Sequence, residues 1–217
     1  MMQNKAPFGE KELSDLRQAV AANMSPKRFA HTAAVEDMAA RLAAVYCPDM
    51  TNLLRAAALL HDTTKECDVE THMDICRRFG ETVGDADRLA HKTLHARTAA
   101  LLIPEDYPTF AHETVISAVR WHTTGHAGMT LADQLLYLAD YIDDSRLFPD
   151  CVRLRTFFWS ANPATLSPIE RERLLRRTLI MSFDMTMRAL VNEGALISPD
   201  TAFARNELIL ADQLDTP

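Results

Sequence analysis

Five short stretches of this chain carry imidazoles and carboxylates in a pattern suited to a buried cation: His31, the pair His61-Asp62, His95, His122 and Asp140. Imidazole nitrogen and carboxylate oxygen together suit a hard or borderline metal ion. His61-Asp62 closes the apolar run Ala56-Ala57-Ala58-Leu59-Leu60. Burying both groups is costly unless they are paired or hold a metal. A His-Asp dipeptide alone is common, so the case rests on the other positions and on the elements that carry them.

Those elements read as helices. Residues 10–23 form a first helix with Leu13, Leu16 and Val20 along one side. Ser25-Pro26 supplies an N-cap and a proline at the first helical position. The next segment puts His31, Val35, Met38, Leu42 and Val45 on one face, so His31 points where core residues point. Thr51 or Asn52 caps a helix whose inward face is Leu54, Ala57 and His61. A helix over Asp87–Ile103 carries His91 and His95, and Thr114–His122 aligns Val115, Val119 and His122. Glycines mark 123–128 as a loop. Thr130 opens a helix in which Asp140 lines up with Leu136, which sends a carboxylate inward. Pro168–Asn192 is a long amphipathic helix that completes a bundle.

Each site residue also has a plainer reading. His31 is a satisfied core histidine unless Arg28, one turn away, marks an anion site, because a buried guanidinium needs an anion. Lys65 is a solvated lysine near a helix C-terminus or a phosphate contact. Asp140 ligates a metal or pairs with an arginine such as Arg146. His91 and His95 have the i, i+4 spacing of H-E-x-x-H, but Lys92 stands where that motif has its general base. His95 is carried forward and His91 is read as structural.

The 217 residues are 47% hydrophobic and 24% charged, with six glycines. Few β-branched runs and abundant Ala, Leu, Met, Arg and Glu favour an all-α fold. No linker, repeat or low-complexity tract divides the chain, so one domain is expected. A net charge of −7 argues against a nucleic-acid-binding surface without excluding a phosphorylated small molecule, since a metal can reverse the potential in one pocket. Cys47, Cys67, Cys76 and Cys151 show no C-x-x-C pairing and read as reduced thiols. Neither a signal peptide nor a membrane span is evident, so a soluble, cytoplasmic protein is expected.

Arg-Phe-Ala-His31, Leu-Leu-His61-Asp62-x-x-Lys65, Leu-His95, Arg-Trp-His122-Thr-Thr-Gly125 and Leu-Ala-Asp140-Tyr-Ile together resemble the HD-domain metal-dependent phosphohydrolases. More narrowly they resemble the YqeK family of symmetrical dinucleoside-tetraphosphate hydrolases. Gly-Met-Thr at 128–130, Arg-x-Phe-Pro at 146–149 and Ile197-Ser-Pro-Asp-Thr201 with Ala-Arg-Asn206 support the likeness, which runs from about Ser25 to Asn206. It implies an HD-type helical bundle over 23–207 with a metal site in its core, a 1–22 N-terminal extension holding the first helix, and a 208–217 tail. Where family members often have Glu-Pro after Asp-Tyr-Ile, this chain has Asp143-Asp144, which removes a stiffened turn and adds negative charge.

The resemblance implies His31, His61, Asp62 and Asp140 as metal ligands. Arg28, Lys65, His95, His122, Thr123 and Arg146 fall to substrate binding, and Asp62, Lys65, His95 and His122 to catalysis. A mixed His and Asp set suits iron, with manganese, cobalt or nickel as alternatives, better than zinc; a second ion could sit near His95 and His122. The implied reaction is hydrolysis of diadenosine tetraphosphate at its central bridge to two ADP. The alternatives are another HD phosphohydrolase acting on a mononucleotide or dNTP, and a non-catalytic nucleotide sensor. The Pro168–Asn192 helix leaves a homodimer open, although packing inside the bundle is the simpler use of its apolar face.

Overall fold

In the computed structural model, which describes residues 7–214, the all-α expectation holds, and no strand occurs among the described residues. Residues 1–6 of the N-terminal extension and 215–217 of the C-terminal tail lie outside the described residues. The helices are α1 (Glu10–Ala22), α2 (Pro26–Tyr46), α3 (Thr51–Leu60), α4 (Val69–Arg78), α5 (Asp85–Leu89) and α6 (Leu94–Asp106). They continue with α7 (Glu113–Trp121), α8 (Leu131–Ile142), α9 (Pro149–Ser160), α10 (Pro168–Asn192) and α11 (Pro199–Leu214). The last of these runs through the 207/208 boundary set at the tail.

Local chemistry explains the main starts. The Ser25 side chain accepts the Arg28 amide at the start of α2, with Pro26 in the first turn. Thr130 and Asp133 form a reciprocal capping box at α8, as do Ser167 and Glu170 at α10; each satisfies amides that the first helical turn leaves free. Two boundaries differ from expectation. Met50, not Thr51 or Asn52, occupies the N-cap of α3 and makes no side-chain cap, because Thr51 Oγ1 donates back to the Pro48 carbonyl instead (2.8 Å). The expected single helix over 87–103 is broken. α5 ends at Leu89, a 3-10 turn covers His91–Thr93, and α6 begins at Leu94. His91 and His95 therefore do not share a helix face.

α2, α3, α7 and α8 pack together around a continuous apolar core that includes Val35, Met38, Leu42, Leu54, Leu59, Val119, Leu135 and Leu138. The first helix is part of this core rather than an appendage: Leu13, Leu16 and Val20 are buried in it. Glu36, 2% exposed, ties α1, α2 and α3 by receiving both Arg17 and Arg55. α10 packs against α8, α9 and α11, with Leu175, Leu179 and Phe183 in the core, so its apolar face is used inside the bundle. No described helix is long and apolar enough to cross a membrane.

Candidate metal centre

The site lies where α2, the end of α3, α6, α7 and α8 converge. His61 and Asp62 begin the turn that follows α3, and His122 is the C-cap of α7. His31 projects from the second turn of α2, His95 from the first turn of α6, and Asp140 from the last turn of α8.

Hydrogen bonds fix how the imidazoles face. His61 Nδ1 donates to the Ala58 carbonyl (2.6 Å), His122 Nδ1 to Val119 (2.7 Å) and His95 Nδ1 to Lys92 (2.9 Å). Each ring thereby carries its proton on Nδ1 and turns a bare Nε2 lone pair toward the common centre. His61 Nε2 is fully buried and has no hydrogen-bond partner. An orphaned, lone-pair-bearing nitrogen of that kind is what a metal ligand looks like before its ion is considered.

The carboxylates complete the arrangement. Asp140 Oδ1 lies 3.0 Å from His31 Nε2 and 3.8 Å from His61 Nε2. Asp62 divides its oxygens: Oδ2 lies 3.4 Å from His61 Nε2 and 3.8 Å from His31 Nε2, while Oδ1 lies 3.3 Å from His95 Nε2 and 3.9 Å from His122 Nε2. Two groups have ligand atoms all within 4.8 Å of one another: His31, His61 and Asp140; and His61, Asp62 and His122. The donor set therefore fits a borderline divalent ion, with no thiolate in it. His95 Nε2 and His122 Nε2 stand only 3.0 Å apart. Two lone pairs at that distance repel unless a proton or metal ion lies between them.

Cations surround the acids. Arg28 Nη1 reaches Asp62 Oδ2 at 2.7 Å, and Arg146 Nη2 reaches Asp140 Oδ1 at 2.5 Å. Both readings left open for Asp140 are thus present, since it faces histidines and also pairs with Arg146. Lys65 Nζ sits 3.1 Å from His95 Nε2, and Thr123 Oγ1 3.2 Å from the same atom. Burial works against the Asp62 charge, but His61 and His95 hold its pKa well below the carboxylate range. Asp140 is likewise opposed by burial and pulled well down by Arg146 and His31. Burial lowers Lys65 from its ordinary value. It also takes His95 well down, with help from His122 and Lys65, and His122 to about 4, with help from His61. His31 goes the other way. Burial would lower it, but hydrogen bonds and charge from Asp140 and Asp143 raise it to about 9.

An open pocket of about 670 Å³ adjoins the centre, lined by His31, Asp62, Asp140, Lys27, Arg28, Lys65, Ser145, Arg146 and the segment Leu147-Phe148-Pro149. Every residue nominated from the sequence thus lies at the centre, in this pocket, or touching a residue that does. His91 is exposed.

A family model for the HD domain matches residues 28–144, a span containing all six candidate imidazole and carboxylate positions. The chain belongs to the HD-domain family. Among its HD-domain relatives is a "Bis(5'-nucleosyl)-tetraphosphatase, symmetrical" of Halalkalibacterium halodurans, 30% identical over 89% of this chain and 95% of the relative. A Bacillus subtilis protein of the same name is 30% identical over 86% of this chain and 91% of its own length. A solved structure from Clostridium acetobutylicum, described as a predicted HD superfamily hydrolase involved in NAD metabolism, superposes with a TM-score of 0.78 at 30% identity. That superposition covers 94% of this chain and 98% of the other.

Sequence reasoning missed Lys27, Ser145 and Leu147, and gave Asp143 and Phe148 no place at the site although it noted both positions. The segment Arg146–Pro149 was visible only as a string of residue types. That Leu147 and Phe148 remain 81% and 69% exposed at the pocket rim depends on how the chain leaves α8, which periodicity does not encode.

Proposed function

We propose that this protein is a metal-dependent hydrolase that cleaves diadenosine tetraphosphate at the bridge between its second and third phosphates, adding water and releasing two ADP. The observation that carries the reading is the buried, orphaned His61 Nε2 at the hub of a His and Asp cluster, opening onto a pocket edged by Arg28, Lys65 and Arg146. The names borne by relatives that align over most of their length point to the same substrate.

His31, His61, Asp62 and Asp140 would hold iron, or manganese, cobalt or nickel, and a second ion fits between Asp62 Oδ1, His95 and His122. Ions bound there supply Lewis acidity toward a phosphate oxygen and a water of lowered pKa. The chain's own residues do the rest. Arg28 and Arg146 neutralise ligand carboxylates and stand ready to exchange onto phosphate oxygens, where planar guanidinium forks bind well. Lys65, desolvated beside His95, places a positive charge where negative charge grows on the phosphoryl group. Thr123 adds a hydroxyl beside His95. Leu147 and Phe148 offer an apolar face at the rim against which a nucleobase can stack.

The test is incubation of iron- or manganese-loaded protein with diadenosine tetraphosphate, with products resolved by anion exchange. ADP as sole product is expected. ATP plus AMP would overturn the symmetry, and no product with metal demonstrably bound would overturn the substrate.

A further inference from the structure

His31 differs from its three neighbours. His61, His95 and His122 each anchor Nδ1 on a carbonyl three residues earlier. From the second turn of α2, His31 instead turns Nδ1 to the segment after α8, meeting Ser145 Oγ at 3.2 Å and Asp143 Oδ2 at 3.6 Å.

Asp143 is itself unusual. It is fully buried, and its Oδ1 accepts the Ser145 amide (2.9 Å) and the Ser145 hydroxyl. Its Oδ2 has no hydrogen-bond partner. Arg146 Nε lies 3.3 Å from that oxygen, but Arg146 is already engaged by the Asp140 carbonyl and carboxylate. A buried carboxylate oxygen left without a donor costs free energy, and the imidazole N–H of His31 faces it from 3.6 Å, beside the Ser145 hydroxyl.

We propose that Asp143, braced by Ser145, is the positioning residue for His31. Its charge and the Ser145 hydroxyl it orients hold the Nδ1–H in place, fix the ring, and so present Nε2 to the metal alongside Asp140. Carboxylates behind ligating histidines act in this way generally, and their loss weakens metal binding by about 10- to 100-fold. The proposal rests on the metal-centre reading of His31 and Asp140.

The test measures manganese affinity by competition with a chromophoric chelator in wild type, Asp143→Ala, Asp143→Asn and Ser145→Ala. In zinc-loaded protein, proton–nitrogen correlation spectra follow the His31 Nδ1–H. Asp143→Ala is expected to raise the manganese Kd about 10- to 100-fold and to abolish a slowly exchanging Nδ1–H signal. Asp143→Asn, able to offer a neutral oxygen, should fall between that variant and wild type. An unchanged Kd, or an Nδ1–H signal retained in Asp143→Ala, overturns the proposal. If Asp143→Ala does not fold, the pair Asp143→Asn and Ser145→Ala decides on the same two readouts. Failure of the wild type to bind manganese would instead overturn the metal centre itself.

Discussion

Replacing Asp62 by alanine removes a carboxylate oxygen from two pairs of histidines at once, because Oδ2 faces His61 and His31 while Oδ1 faces His95 and His122. Asp62→Ala should therefore lose both bound metal and turnover, read by elemental analysis alongside the product assay; full metal content would sink the assignment. Lys65 touches His95 and no carboxylate within salt-bridge distance, so Lys65→Ala should keep the metal. It should lower kcat/KM by about 10²-fold, the usual cost of removing one donor aimed at developing charge. At this scale much was legible. His31, His61, His122 and Asp140 stood out because polar residues at apolar-periodic positions demand a partner. The division of Asp62 between two sets of histidines was not legible, and neither was the approach of Asp143 to His31. Both depend on which oxygen faces which ring, and that is set only when α2, α3, α6, α7 and α8 dock.

At the scale of elements, caps and periodicity located α2, α8 and α10 well, since Ser25, Thr130 and Ser167 each announce a start. The break between α5 and α6 was hidden because 87–103 keeps a helical apolar rhythm, while the interruption at His91–Thr93 is a tightening of the backbone rather than a change of residue type. The loop after α7 shows how packing decides a position that turn chemistry only suggests. Gly125 has φ of +62°, and a Cβ there would lie 2.7 Å from the Phe183 ring of α10. Gly125→Ala combines left-handed strain with overpacking and should cost about 2 kcal/mol or more. The measurement is the denaturant midpoint at unchanged slope. A loss below half a kilocalorie would mean that the loop relaxes freely away from α10.

At the scale of the whole molecule, the centre builds opposed proton linkages into the stability of the metal-free protein. The folded state holds His122 at about 4 against an ordinary 6.5, so between those values the unfolded chain binds the extra proton. Stability from His122 is complete above pH 6.5 and is lost as pH falls toward 4, an effect of about 3 kcal/mol; His95 acts in the same direction. His31, raised to about 9, has the opposite sign. Its contribution, also about 3 kcal/mol, is complete below pH 6.5 and is lost as pH rises through 9. Chelator-treated protein should therefore be most stable near pH 6.5, with both limbs visible in thermal midpoints taken at pH 4.5, 6.5 and 9. His122→Gln should flatten the acid limb and His31→Gln the alkaline one. Saturating manganese should remove the alkaline limb in wild type, because a His31 that ligates through Nε2 has no proton there left to lose. An alkaline limb that persisted with manganese bound would show that His31 holds its proton and does not ligate.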